Sequence, residues 1–461
     1  MPVADVDLVG HLADHVAGTT YERLPPVAVE AAKKSIFDTL GVTLAASGVE
    51  PAVQGVVDLV RETGGRPEAT VLAFGDRVPA LTAAFANGAM AHCLDFDDQT
   101  PWGQHSASSI VPAALAVAER RGGVPGREMI AAVAAGQDVF ARLRRHVGWR
   151  KDWNLSTVLG VFAAASATGR LLGLTPEQMA HALGIASMQS SGVMEVVAGT
   201  GSNLRALYAG FSAKGAVLAA LLADNGVTGV EHLFEGEHGV FATYFGGQYD
   251  RDAILADLGH DYQGSTTLYK LWPSVGTSHS HIQATIDIVV KHDLAVEDID
   301  KIRVHVGDYH DLMCRPLEAR RAPATPVDAK FSLPFLVAVA AVRRGVRVAD
   351  FSAEGLRDPE VLAVARKVVP VADPDLDWEL ELPPGRVEVL LRDGRRFSQV
   401  GAPVPGSPEA PLTWGDLVRK FGDCAAAAVS PPTEQRIETA ACMAQHLEEL
   451  DDVTELVRLL G

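Results

Sequence analysis

The spacing of apolar residues along this chain is helical, then alternating, then helical again, and that change of period limits the folds open to it. Behind the Pro25-Pro26 start, Val29, Ile36, Leu40 and Leu44 fall on one helical face. The same period runs through Leu81–Leu94, Leu155–Leu172, Pro176–Met188 and Ser212–Asn225, with Gly64-Gly65, Gly122-Gly123 and Gly173 as punctuation. Residues 1–268 therefore predict one large helical domain. From Tyr269 the pattern differs. Ile302, Val304 and Val306 alternate with Arg303 and His305 as in a half-buried strand, and helices are expected over Phe331–Val342 and within Phe351–Val368. Val387–Leu391 and Arg396–Val400 flank Asp393-Gly394, a hairpin signal. Residues 269–404 thus predict a smaller α+β domain. After the Pro-rich stretch Ala402–Pro411, helical spacing returns over Trp414–Phe421 and Glu434–Leu460, so 405–461 is expected to pack back on the first domain.

Composition narrows the function. A length of 461 residues favours two domains, and 48% apolar with only 6% aromatic residues suits packed helices. A net charge of -18, from 40 basic and 58 acidic side chains, argues against nucleic acid or an anionic membrane surface as partner. It leaves room for a small anionic substrate in a locally cationic cleft. Cys93, Cys314, Cys424 and Cys442 form no paired motif, so a reducing cytosol is expected, with no disulfide framework or structural zinc. Met1–Gly10 lacks the features of a signal peptide, and no uninterrupted apolar run of membrane-spanning length is evident.

Four segments hold candidate chemistry. In Ala91-His92-Cys93-Leu94-Asp95-Phe96-Asp97-Asp98, followed by His105, three carboxylates crowd the end of a helical pattern, which favours a raised pKa in one of them. Asp95 and His105 form the expected acid–base pair, and Asp97 reads as a solvated loop carboxylate. Magnesium–phosphate binding lacks a phosphate loop nearby, and a terpenoid-cyclase acid is disfavoured by the low aromatic content. In Tyr269–His281, Lys270 and a helix start at His279 suit a carboxylate. His281 reads there as a surface or capping histidine, and a zinc pair with His279 lacks further ligands. Gly199–Gly210 carries Arg205 and Tyr208 ahead of a helix from Ser212, with no strand before it to support a dinucleotide site. In Asp152–Thr157, Ser156 or Thr157 is the expected N-cap and Asn154 a cleft residue.

In this order the segments resemble the MmgE/PrpD family. Phe37-Asp38-Thr39-Leu40-Gly41, Arg205–Ala223, Trp272-Pro273 and Ala329-Lys330-Phe331-Ser332-Leu333-Pro334-Phe335 extend the likeness over nearly the whole chain. The resemblance implies a helical domain built from both chain ends, an inserted α+β lid, a homodimer, an active site between the domains, and neither cofactor nor metal. It implies a dehydratase-type lyase acting on a small di- or tricarboxylic acid. Epimerase or decarboxylase chemistry on a related acid is an alternative, as is a non-catalytic metabolite-binding member. Asp95, His105 and Lys270 match family positions. The roles that follow are proton transfer for His105, orientation or acid–base work for Asp95, and carboxylate anchoring for Lys270 and Arg205. Asn154, Tyr208, His279 and Gln99 would line the pocket. The chain departs from the decarboxylase-like pattern at Asn154, Tyr208 and Val275, each in place of a His. It departs also at Arg205 for a Lys, Phe335 for a Tyr and Gln99 for a Thr.

Overall fold

Small side chains decide how the first part of the chain packs. The computed structural model describes residues 7–199 and 201–461. Residues 1–6, read above for a leader, and Thr200 of the glycine-rich stretch lie outside the described residues. The helical period becomes α1 (Pro26–Val49), α2 (Ala80–His92), α3 (Ala107–Arg121), α4 (Gly126–Arg145), α5 (Leu155–Leu172) and α6 (Leu204–Asp224). α6 packs against α2, α3 and α5. Its closest approach is glycine on glycine. A Cβ on Gly88 would lie 3.0 Å from the Gly210 Cα, and one on Gly210 would strike the Phe85 carbonyl oxygen and lie 2.9 Å from the Ala89 nitrogen. Only glycine lets two helix backbones come this near. Gly210 is thus a packing position inside a helix, and α6 starts at Leu204 rather than at Ser212. Arg205 and Tyr208 consequently stand on its first turns.

α5 and α6 are each long and apolar enough to cross a bilayer, contrary to the expectation from the sequence, and their apolar windows are 89% and 67% buried inside the protein. Their hydropathy is that of core helices.

The alternating region forms a four-stranded sheet. β1 (Ile299–Val306), β2 (Val368–Ala372), β3 (Arg386–Leu391) and β4 (Arg396–Val400) lie in the order β2-β1-β3-β4. β1 pairs parallel with β2 and antiparallel with β3, and β3–β4 is the expected hairpin, with Gly394 at φ +92° in its turn. β2 was not expected; it follows the helix read within Phe351–Val368. Short turns and a helix over Pro359–Ala365 precede it, and Pro370 is tolerated because β2 is an edge strand. Helix α7 (His279–Lys291) packs on β3 and β4, and α8 (Leu333–Arg343) packs on α7.

The chain then returns to the helical body. α9 (Trp414–Ala426) and α10 (Glu434–Gln445) both pack on α1. Phe421 stacks on Phe37 with ring centroids 4.4 Å apart and planes 7° off parallel. Beside them the buried Lys420 amine lies 2.6 Å from Asp38. The helix expected over Glu434–Leu460 is interrupted by a tight turn at Leu447–Glu449 before it resumes at Thr454.

Candidate active site

The site is built where α2 runs out. The last carbonyls of a helix have no partner within it and carry the negative end of its dipole. Here three buried lysines from the second half of the chain bind carbonyls of the loop that leaves that end. Lys330 Nζ donates to the Cys93 carbonyl at 2.5 Å, Lys270 Nζ to the Asp95 carbonyl at 2.9 Å, and Lys420 Nζ to the Phe96 carbonyl at 2.7 Å. Lys270 also binds the Asp95 carboxylate through Oδ1. Asp95 sits at φ +48°, a left-handed conformation that costs a non-glycine residue on the order of 1 kcal/mol or more. The double grip of Lys270 holds it there.

All three carboxylates of the loop are buried, and their environments separate them. Burial alone would raise Asp95, but Lys270, His105 and His92 hold it well below the usual carboxylate range. Asp97 is the correction to the sequence reading. It is no solvated loop residue: its carboxylate lies 3.1 Å from His92 Nδ1 on one side and 3.1 Å from His105 Nδ1 on the other. The two imidazoles overcome its burial and keep it ionised. Asp98 goes the other way. Burial, with Asp38 and Asp97 close by, pushes it up to about 7 against the hydrogen bond from Ser35.

The partners of His105 settle its tautomer. Nδ1 faces two acceptors, the Asp98 carbonyl at 2.8 Å and the Asp97 carboxylate at 3.1 Å, so it carries a proton. Nε2 is left for chemistry, 3.6 Å from Asp95 Oδ1 and facing the cleft. Burial lowers the His105 pKa and Lys270 opposes a positive charge, but Asp97 and Asp95 outweigh both and raise it. His92, buried and beside His105, is lowered and stays neutral.

His105 and Asp95 face a narrow, half-open cleft. Arg205, Tyr208, Asn154 and Gln99 line it too. The Arg205 guanidinium is buried, lies over the Phe331 ring, and donates to the Val197 carbonyl. Among the described residues it has no ion-pair partner. Asn154 is the N-cap of α5, in place of the expected Ser156 or Thr157. Its Oδ1 accepts from the Ser156 nitrogen at 3.1 Å, which leaves Nδ2 buried without a partner. Gln99 Nε2 is likewise buried and unpartnered. Tyr208 packs its ring on His92 at 4.3 Å, and burial holds its hydroxyl protonated.

Six of the residues singled out from the sequence thus border one cleft: Asp95, Gln99, His105, Asn154, Arg205 and Tyr208. Lys270 does not. It stands behind Asp95, fully buried, so its place is that of a positioning residue rather than a direct anchor. His279 is also outside. Its Nε2 lies 3.3 Å from the Ser274 carbonyl, burial pushes it down to about 3, and it borders an adjoining cavity. His281 is fully buried with Nε2 bonded to the His305 carbonyl at 2.8 Å, which replaces the surface reading. Val275 lines the cleft, whereas Phe335 lies in the core. The sequence reading quoted His92 and Lys330 within motifs but gave them no role, and it missed Lys420 and an aromatic wall of Trp149, Tyr309 and Trp378.

One ligand atom each from His92, Asp95 and His105 lie within 4.8 Å of one another, the tightest candidate for a metal among the described residues. The donor chemistry does not suit one. Asp95 already holds the Lys270 amine, and a metal would need His105 stripped of a proton that its surroundings favour. The set fits proton transfer.

Comparison with known proteins matches the same two regions. The MmgE/PrpD N-terminal domain model covers residues 10–252 and the MmgE/PrpD C-terminal domain model covers 272–445. The chain is 27% identical to a cis-aconitate decarboxylase of Aspergillus terreus, over 85% of this chain and 83% of that protein. It is 25% identical to the cis-aconitate decarboxylase of Homo sapiens, over 98% of this chain and 92% of that protein. A 2-methylcitrate dehydratase of Salmonella typhimurium is 24% identical, over 87% and 85%.

Proposed function

The chain belongs to the MmgE/PrpD family and is an enzyme of its lyase type, and from that premise we propose a dehydratase-type reaction on a small carboxylic acid. The observation that carries the proposal is Arg205. A guanidinium buried without a counter-ion costs several kcal/mol, and a carboxylate entering the cleft removes that cost through paired, charge-assisted hydrogen bonds. Arg205 therefore fixes one carboxylate of the substrate, and His105 Nε2 faces the same cleft.

Chemistry beside a carboxylate builds negative charge, and the site answers with groups already in place. The imidazolium of His105 delivers a proton from Nε2 to the departing hydroxyl, and Nδ1 stays tied to Asp98 and Asp97 throughout. The ionised Asp95 carboxylate, on the same cleft, accepts the proton lost from the neighbouring carbon, so that water leaves as the double bond forms. Asp95, kept ionised by Lys270, orients that imidazolium and stabilises its charge. Asn154 Nδ2 and Gln99 Nε2 offer neutral donors to a second oxygen of the substrate. Epimerisation would need a base on each face of the reacting carbon. Tyr208 is held protonated and Lys270 is committed to Asp95, which favours the lyase reading. A cytosolic homodimer completes the proposal. The family likeness supports the dimer, and four free cysteines suit a reducing compartment.

Arg205→Gln tests the anchor. Loss of a buried charged contact to substrate costs about 2–5 kcal/mol, so KM should rise about 30-fold or more with the fold intact by circular dichroism. An unchanged KM would remove the proposal.

A further inference from the structure

Beside its polar residues the cleft carries a wall of aromatic rings, and the two together limit what a substrate can be. Trp378, from the segment between β2 and β3, meets Trp149 edge-on with ring centroids 5.0 Å apart, and Tyr309 meets Trp378 at 4.8 Å. The helical body and the α+β part thus each contribute to one aromatic surface, extended by Leu382 and Val275, with the Tyr309 hydroxyl turned to Arg205. The wall is held in place. Trp378 N donates to Asp308 Oδ1 at 3.0 Å, Trp378 Nε1 to the Leu380 carbonyl at 3.0 Å, and Trp102 Nε1 to Glu381 at 3.1 Å. Gly103 leaves the room that the Trp378 ring fills, since a Cβ there would overlap it.

Charge on the polar side is scarce. Of the cations near the cleft, Lys270, Lys330 and Lys420 are each bound to loop carbonyls and do not line it. Arg144 lies behind the wall, with Nε on Gln104, Nη2 on the Trp102 carbonyl and its guanidinium over Trp149. Among the described residues Arg205 and the His105 imidazolium remain, and Asp95 stands against the latter. A substrate with three carboxylates would press at least one of them against indole rings, where an unpaired charge costs several kcal/mol.

Resting on the lyase reading above, we infer that the substrate carries no more than two carboxylates, together with an alkyl or aryl arm that packs on Trp149, Tyr309 and Trp378. One carboxylate binds Arg205. The oxygen held by Asn154 and Gln99 is a hydroxyl, a carbonyl or the second carboxylate. The apolar arm occupies the place where a tricarboxylic acid would carry its third charge. Discrimination comes from both sides: the rings reward the arm and penalise the charge.

A matched pair of probes tests this directly. Tricarballylate and benzylsuccinate share a skeleton and differ in one group, a terminal carboxylate against a phenyl ring. Isobutylsuccinate supplies a smaller apolar arm. Affinities are measured by isothermal titration calorimetry on the full chain, on Trp378→Ala and on Arg205→Gln. The expected result is that one of the two apolar acids binds at least tenfold tighter than tricarballylate, that Trp378→Ala erases the preference, and that Arg205→Gln weakens all three ligands. Tricarballylate binding as tightly as the better apolar acid, with Arg205→Gln still weakening both, would overturn the inference and leave the carboxylate site standing. Binding that ignores Arg205→Gln, or no binding of any probe at millimolar concentration, would overturn both.

Discussion

Replacing Asp97 by Asn should change the pH at which this enzyme works. Asp97 Oδ2 lies 3.1 Å from His105 Nδ1, and at that distance with an effective dielectric constant of about 20 the pair is worth roughly 5 kcal/mol. Asparagine keeps the shape and an acceptor oxygen, and neighbouring dipoles respond, so the realised loss is smaller than that. The direction follows from the balance at His105. Burial lowers it and Asp97, with Asp95, raises it, so without Asp97 burial prevails and the imidazole drops below its ordinary 6.5. At pH 7 the variant then holds His105 neutral, and a reaction that needs its proton slows. The alkaline limb of kcat/KM against pH should move to lower pH, with activity recovering toward the wild-type level at acid pH. Stability has its own window. The raised His105 contributes stability that is complete below 6.5 and lost as pH climbs through its native value. The depressed Asp97 contributes stability present above 3.8 and lost as pH falls through its native value. Urea midpoints of Asp97→Asn should therefore fall furthest behind the wild type between these pH values. An alkaline limb that stays put would refute the assignment of the raised pKa to Asp97.

Lys420→Met should leave Asp38 buried without its cation and free the Phe96 carbonyl, costing about 3–5 kcal/mol in urea unfolding. The double variant with Asp38→Leu should regain part of that stability but not kcat, because the loop tie stays lost. Gly210→Ala should destabilise by more than about 2 kcal/mol, since α2 must move away from its Cβ, and an unchanged midpoint would show that the helices are not in contact there. Asp98→Asn should trail the wild type furthest below about 3.8, and the gap should close or reverse as pH rises from there to about 7. The native carboxyl binds its proton more tightly than the unfolded one, so ionising it costs stability that asparagine never loses.

Period and punctuation made the architecture legible. The shift near Tyr269, the hairpin at Asp393-Gly394 and the return at Trp414 all reflect local alternation of apolar and polar residues, and each has its element in the structure. Where one local signal served two structures, the reading slipped. Gly210 resembles loop punctuation but serves a helix crossing, because the reason for the glycine sits on α2, far away in sequence. Val368–Ala372 has too short a run to declare itself a strand beside a Pro. Asp95, His105, Arg205, Tyr208, Asn154 and Gln99 were found from their chemical type and from family likeness. Asp97 was misjudged because its two histidine partners come together only when the loop folds back on α2. Lys330 stood in a quoted motif without a role, and Lys420 and Trp378 left no local trace, since each acts on a segment hundreds of residues away.

The central claim is that His105 moves a proton to or from a short acid held by Arg205. Proton NMR in deuterated water, on a panel of hydroxylated mono-, di- and tricarboxylic acids with and without an apolar arm, tests it most directly. The account predicts loss of a hydroxyl and a new alkene signal beside a carboxylate in one of these acids, at a rate that falls at least a thousandfold in a folded His105→Ala protein. Turnover of any of them by His105→Ala at the wild-type rate would contradict it.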